Sequence, residues 1–119
     1  MKTTESPTVV VLTGNEKQQR HAAKVNGLHL SPEGNAFNLT WEPNGYHFSA
    51  CSNRQLEKVV CSADFLGIGP RVSTLAGKKA IELARRHGAK VFRLPGGGTG
   101  VSGILRAAGE AVDCASVHQ

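Results

Sequence analysis

Thr8-Val9-Val10-Val11-Leu12 is an unbroken β-branched and apolar run, the pattern of a strand buried on both faces rather than one half open to water. It closes at Thr13-Gly14-Asn15. Asn15, with Gln18 three residues on, predicts an N-cap and a short helix to about Val25, ended by Asn26-Gly27. The apolar side of that helix, Ala22, Ala23 and Val25, is thin. Residues 28–35, broken by Pro32 and Gly34, read as a loop. From 36 to 51 the period becomes two: AFNLTWE and YHFSAC flank Pro43-Asn44-Gly45, and Asn-Gly between alternating segments predicts a hairpin. A two-residue loop puts Phe37, Leu39 and Trp41 on one face with Tyr46, Phe48 and Ala50, leaving Asn38, Thr40, His47 and Ser49 opposite. A three-residue loop would mix the faces by setting His47 and Ser49 against Trp41 and Leu39, so the first register is the expected one.

The period lengthens again at Ser52. S-N-R-Q is a capping box, and Leu56, Val59, Val60 and Ala63 follow at helical spacing. A second helix is predicted over 71–87, with Val72, Ala76, Ala80, Ile81, Leu83 and Ala84 on one side and Lys78, Lys79, Arg85 and Arg86 on the other. Gly88 ends it, and 91–94 makes a short strand. Ile104, Leu105, Ala108, Ala111, Val112 and Ala115 form the stripe of a last helix, which is expected to dock on this domain or to join a second copy into a homo-oligomer. The order βαββααβα implies an α+β fold: a small sheet including the 36–51 hairpin, with helices packed on one face. At 119 residues the chain reads as one domain, with 95–103 as a glycine-rich hinge before the last helix.

Charge sharpens the picture because it is local. The net charge is +5, and between Arg71 and Arg93 seven basic residues stand against the single acid Glu82. A pI near 9.5 with 39% apolar residues suits a globular protein with a polyanionic partner better than a disordered tail. Three cysteines without a CxxC pair and five scattered histidines give no zinc or disulfide framework, so neither metal nor cofactor is expected. No apolar run is long enough to span a bilayer, and the apolar stretch near the start is too short for a secretory core, which points to a cytoplasmic protein.

The turn that feeds the basic helix carries candidate chemistry. In Leu66-Gly67-Ile68-Gly69-Pro70-Arg71 two glycines bracket one apolar residue, and a proline and an arginine follow. Glycine permits close backbone approach and proline suits a helix start, so free amides there can converge on an anion. G-I-G-P-R, with an apolar residue before it and Ser73 and Leu75 after it, resembles the helix-hairpin-helix motif over about residues 59–83; Ser73 departs from the alanine often found there. The resemblance implies a turn between two short helices whose amides hold a nucleic-acid backbone phosphate. It carries those roles to Gly67, Gly69 and Arg71, with Lys78 and Lys79 as helpers.

A second glycine cluster, PGGGTGVSG at 95–103, spells G-T-G-V-S-G after a strand and before a helix. The dinucleotide fingerprint needs a further strand and an acid about 20 residues on, and the sequence given ends too soon for that, so a hinge is the favoured reading. Gly45-Tyr46-His47-Phe48 shares a fragment of the RNA-recognition-motif signature without its basic residues, and its aromatics read as core.

These readings lead to a small basic protein that binds nucleic acid, DNA in preference to RNA, through backbone phosphates and with little sequence preference. The surface would comprise Gly67, Gly69, Arg71, Lys78, Lys79, Arg85 and Arg86. With no paired carboxylates and no nucleophile beside a recognisable base, an enzyme is not the expectation. One alternative is a protein for a nucleotide or other phosphorylated small molecule, with Gly98, Thr99, Gly100 and Gly103 in its phosphate loop and His47 or His87 nearby. The other is an interaction or inhibitor module whose basic face meets an acidic protein.

Overall fold

β1 (Thr8–Leu12) is the axis of the molecule. Val9, Val10, Val11 and Leu12 are all 0% exposed, which a strand achieves only with a neighbour on each edge and cover on each face. Both conditions are met in the computed structural model, which describes residues 6–13, 19–42, 53–69, 72, 74–94 and 100–117. β3 (Ala36–Glu42) lies parallel on one side of β1 with Val9 opposite Leu39. β4 (Phe65–Ile68) lies parallel on the other with Val9 opposite Phe65. β5 (Lys90–Arg93) continues the parallel order beyond β4. β2 (Gly27–Leu30) closes the far edge antiparallel to β3, giving a mixed five-stranded sheet in the order β2-β3-β1-β4-β5.

Successive residues of β1 serve opposite faces. Val10 and Leu12 meet Val60 of α2 (Asn53–Val60) and Ala80, Leu83 and Ala84 of α3 (Thr74–Arg86). Val9 and Val11 meet Ala22 of α1 (Gln19–Val25) and Ile104, Ala108 and Val112 of α4 (Val101–Val117). The α+β class therefore holds, as a mixed sheet with four helices among the described residues. The expectation of helices on one face does not hold, because a central strand apolar on both sides needs a helical layer on each.

Three further differences have local causes. Phe65-Leu66-Gly67-Ile68 is a fully buried strand, not the turn of a helix-hairpin-helix. Gly67 is admitted there because the Phe92 ring fills its side-chain space: a Cβ would stand 2.7 Å from the ring's Cζ. The sheet does contain a hairpin, but it is β2–β3, closed through Ser31–Asn35 by Ser31 N–H to Asn35 C=O at 2.8 Å and Gly34 N–H to Ser31 C=O at 2.9 Å. β2 escapes a sequence reading because it is an edge strand whose Leu28 and Leu30 stay 65% and 71% exposed. Phe37, Leu39 and Trp41 do share a buried face with Asn38 outside it, but β2 and β1 flank β3. Residues 46–51, expected to pair with it, lie outside the described residues.

α3 stops where predicted. Gly88 takes a φ of 82°, and Ala89 N–H to Ala84 C=O (2.8 Å) with Gly88 N–H to Arg85 C=O (3.2 Å) completes a Schellman cap. α4 begins at Val101, so Gly103 belongs to the helix rather than to a hinge. Among the described residues no helix is long and apolar enough to cross a membrane.

Candidate functional site

The parallel strands β3, β1, β4 and β5 all point their carboxyl ends to one edge of the sheet. After β1 the chain passes to α1, on one face; after β4 it passes to α3, on the other. The two exits part from neighbouring strands, and such a reversal of strand order leaves a crevice outside the strand ends. Among the described parallel neighbours, β1 and β4 are the pair whose onward connections lead apart, toward β3 on one side and to β5 on the other.

The strand ends themselves are laced together tightly. Gly69 N–H donates to Leu12 C=O at 2.7 Å, and Leu94 N–H to Ile68 C=O at 3.0 Å. A Cβ on Gly69 would lie 3.1 Å from both Leu12 O and Thr13 Cα and 3.5 Å from Leu94 Cδ1, so only glycine lets the end of β4 close this far on β1. Thr13 is fully buried beside it. Its N–H donates to Glu42 C=O at 3.2 Å, and its Oγ1 accepts from Trp41 Nε1 at 2.9 Å. Glu42, opposite Leu12 at the end of β3, is half-buried, and burial pushes its carboxyl above the ordinary value.

The residues singled out from sequence are not gathered in one place. Gly67 lies inside the sheet between Val11 and Phe92, and the Gly69 amide is spent on Leu12, so neither supplies the phosphate-binding amide of a helix-hairpin-helix turn. Arg71 is outside the described residues. Lys78 is exposed and Lys79 half-buried in the second turn of α3, while Arg85 and Arg86 are exposed in its last turn. Because α3 returns antiparallel to the strands, its 13 residues carry Arg85 and Arg86 about 20 Å from Gly69, toward the amino edge. Arg86 also pairs with Glu82 at 3.2 Å. His87 sits at that far edge against Glu57 at 3.2 Å; His47 is outside the described residues. Gly98 and Thr99 are likewise outside them. Gly100 is exposed and its carbonyl accepts the Ile104 N–H at 2.9 Å, opening α4.

A second polar cluster is structural in character. Asp113 of α4 is buried and accepts from Ser31 Oγ at 2.5 Å, Asn35 Nδ2 at 2.7 Å and the Glu33 N–H at 3.3 Å, clasping α4 to the β2–β3 loop. Burial pushes the carboxyl up, but the bonds from Ser31, Asn35 and Glu33 outweigh it and hold it below the ordinary 3.8. With the folded value depressed, the clasp contributes its full stability above pH 3.8 and loses it as pH falls from there through the folded value. Urea unfolding measured from about pH 6 down to about pH 2 should therefore show a shallower acid limb in Asp113→Asn than in the parent. Identical limbs would remove the carboxylate from the acid response.

Among the described residues no group of three or more His, Cys, Asp or Glu side chains is placed to hold a metal. Cys61 and Cys114 are exposed free thiols, and Cys51 lies outside the described residues. Thr13 and Glu42 were not singled out from sequence, since their proximity depends on β3 and β1 becoming neighbours. The one available signal was the apolar run entering Thr13-Gly14-Asn15, the form of a strand leaving a parallel sheet. Comparison with protein-family models, with curated proteins and with solved structures gave no match to this chain.

Proposed function

We propose that the protein binds a nucleotide or other phosphorylated small molecule across the carboxyl ends of β1 and β4. The observation that carries this reading is the reversal of strand order there, which sends α1 and α3 to opposite faces and opens the edge between them. Composition supports it. The segments that follow β1, β4 and β5 are Thr13-Gly14-Asn15, Gly69-Pro70-Arg71 and Pro95-Gly96-Gly97-Gly98-Thr99-Gly100, residue types that let backbone approach a phosphate and supply a cation. Gly69 contributes room rather than a donor.

A second reading has its own support. Lys78, Arg85, Arg86, Lys90 and Arg93 are all exposed, so a nucleic-acid backbone could be held along α3 and β5 by charge alone, DNA in preference to RNA, without the glycine turn.

One set of titrations separates the two. Inorganic phosphate, ribose 5-phosphate, ATP and a short duplex DNA are each titrated at two salt concentrations, with thermal unfolding as a parallel readout. The crevice reading expects ATP or the sugar phosphate to stabilise the fold, by about 2.7 kcal/mol when the ligand stands at 100 times Kd. The duplex would then bind weakly. Binding of the duplex alone, with affinity falling steeply in salt and lost in the Lys78→Ala, Arg85→Ala double variant, would replace the crevice by the charged face.

A further inference from the structure

Resting on the crevice reading, we infer that Glu42 selects the ligand by accepting both hydroxyls of a vicinal diol, so that the ligand class is a ribose phosphate or ribonucleoside phosphate. Glu42 ends the strand next to β1: it stands opposite Leu12, and its carbonyl takes the Thr13 N–H at 3.2 Å, which ties its backbone to the floor of the crevice. Along β3 the side chains alternate, Phe37, Leu39 and Trp41 being buried against the α1–α4 layer. Glu42 therefore points to the other face at the very end of the sheet, half open to solvent.

Position and charge then divide the ligand. The middle of the crevice lies between β1 and β4, so Glu42 stands about one and a half strand spacings away, roughly 7 Å. That is roughly the offset of the diol edge of a ribose from its own 5′-phosphate. A carboxylate has acceptors only and repels phosphate, so it can serve only the uncharged, donor-bearing part of such a ligand. Two oxygens in a fixed plane match two adjacent hydroxyl donors. Partial burial, the cause of the raised Glu42 carboxyl, lowers the local dielectric and strengthens each of these bonds. A molecule lacking one hydroxyl leaves a desolvated carboxylate oxygen unserved, which is how a polar site rejects a close analogue.

The test compares ribose 5-phosphate with 2-deoxyribose 5-phosphate by calorimetry, in the parent and in Glu42→Gln, with the four ribonucleoside 5′-monophosphates as further arms. The parent should prefer the ribose compound by about 10- to 100-fold, the value of one hydrogen bond to a charged group. Glu42→Gln should narrow that preference to about threefold or less, weakening the ribose compound more than the deoxy compound, because one of the two acceptor oxygens becomes an amide NH2 that cannot accept and the deoxy compound needs only one acceptor. Tighter binding of one or more monophosphates would assign the site to nucleotides; tighter binding of ribose 5-phosphate would assign it to the free sugar phosphate. If the parent binds ribose and deoxyribose compounds equally, the diol inference is overturned while the crevice reading stands. If Glu42→Gln weakens both equally, Glu42 has a structural role only and the inference is again overturned. If no phosphorylated compound binds the parent, both fall together. The parent's ratio is read without any variant, so a poorly folded Glu42→Gln would not shelter the inference.

Discussion

Replacing Trp41 by alanine is expected to lower the unfolding free energy by about 3–5 kcal/mol, a large share of the roughly 5–15 kcal/mol that holds a domain of this kind together. Trp41 is 1% exposed and packs in the layer formed by Val9, Val11, Phe37, Leu39, Ile104 and Ala108, so its removal empties the space between the sheet and α4. It also withdraws the Nε1 donor from Thr13, whose hydroxyl is buried with it. Trp41→Phe separates the two contributions. It keeps most of the apolar volume and loses the hydrogen bond, so it should cost about 1–3 kcal/mol. The chain has one tryptophan, so indole fluorescence disappears with the mutation and unfolding must be followed by circular dichroism. A Trp41→Ala loss no larger than that of Trp41→Phe would mean that the core closes over the gap and that packing on this face is loose.

The second large effect concerns two glycines inside helices, where intrinsic preference gives one answer and geometry gives two. Alanine is favoured over glycine by about 1 kcal/mol in a helix interior. In α3 a Cβ on Gly77 would meet nothing nearer than Val72 Cγ1 at 4.0 Å, so Gly77→Ala should gain about 0.5–1 kcal/mol. In α4 a Cβ on Gly109 would stand 2.9 Å from Pro32 Cδ and 3.2 Å from Ser31 Cα. Gly109→Val should therefore cost about 2–3 kcal/mol by overpacking, and Gly109→Ala should lose stability despite its better propensity. Gly109 and Asp113 are one turn apart on the same side of α4, so lifting the helix off the loop also stretches the clasp to Ser31 and Asn35. Urea midpoints of the three variants decide the matter. A stabilised Gly109→Ala would show that the loop yields and that α4 is not held by this contact.

Much of the fold can be read from the chain, and the parts that cannot have a common cause. The run at 8–12 declares a strand buried on both faces, the stripe beginning at Ile104 declares a helix with one apolar face, and Gly88 declares the end of α3. β4 is hidden because Gly67 and Gly69 look like turn residues, and only the presence of Phe92 and of the β1 backbone explains why a strand would carry them. β2 is hidden because three of its four residues are exposed and none is buried. The meeting of the strand ends is less legible still. Thr13, Glu42 and Gly69 are far apart in sequence, and nothing in their local chemistry foretells that β3 and β4 both choose β1 as a neighbour. The basic stretch from Arg71 to Arg93 was legible as composition and misleading as geometry, since a returning helix spreads its charges from one edge of the sheet toward the other.

The central place of β1 also governs how the molecule comes into being. Chains are made from the amino end, so the segment apolar on both faces appears before the described strands that flank it, whose pairing residues lie at 38–42 and 65–68. Until residue 68 has been made, the Val9-Val10-Val11-Leu12 segment lacks at least one of its two flanking strands, and its backbone groups on that side have only water or another chain to bond with. A short, uncharged, β-branched segment in that condition is a template for association between chains. The strand most deeply buried in the finished sheet is thus the one with the most to hide while the chain is incomplete, and the time taken to close the non-local β1–β3 and β1–β4 pairs sets how long that exposure lasts.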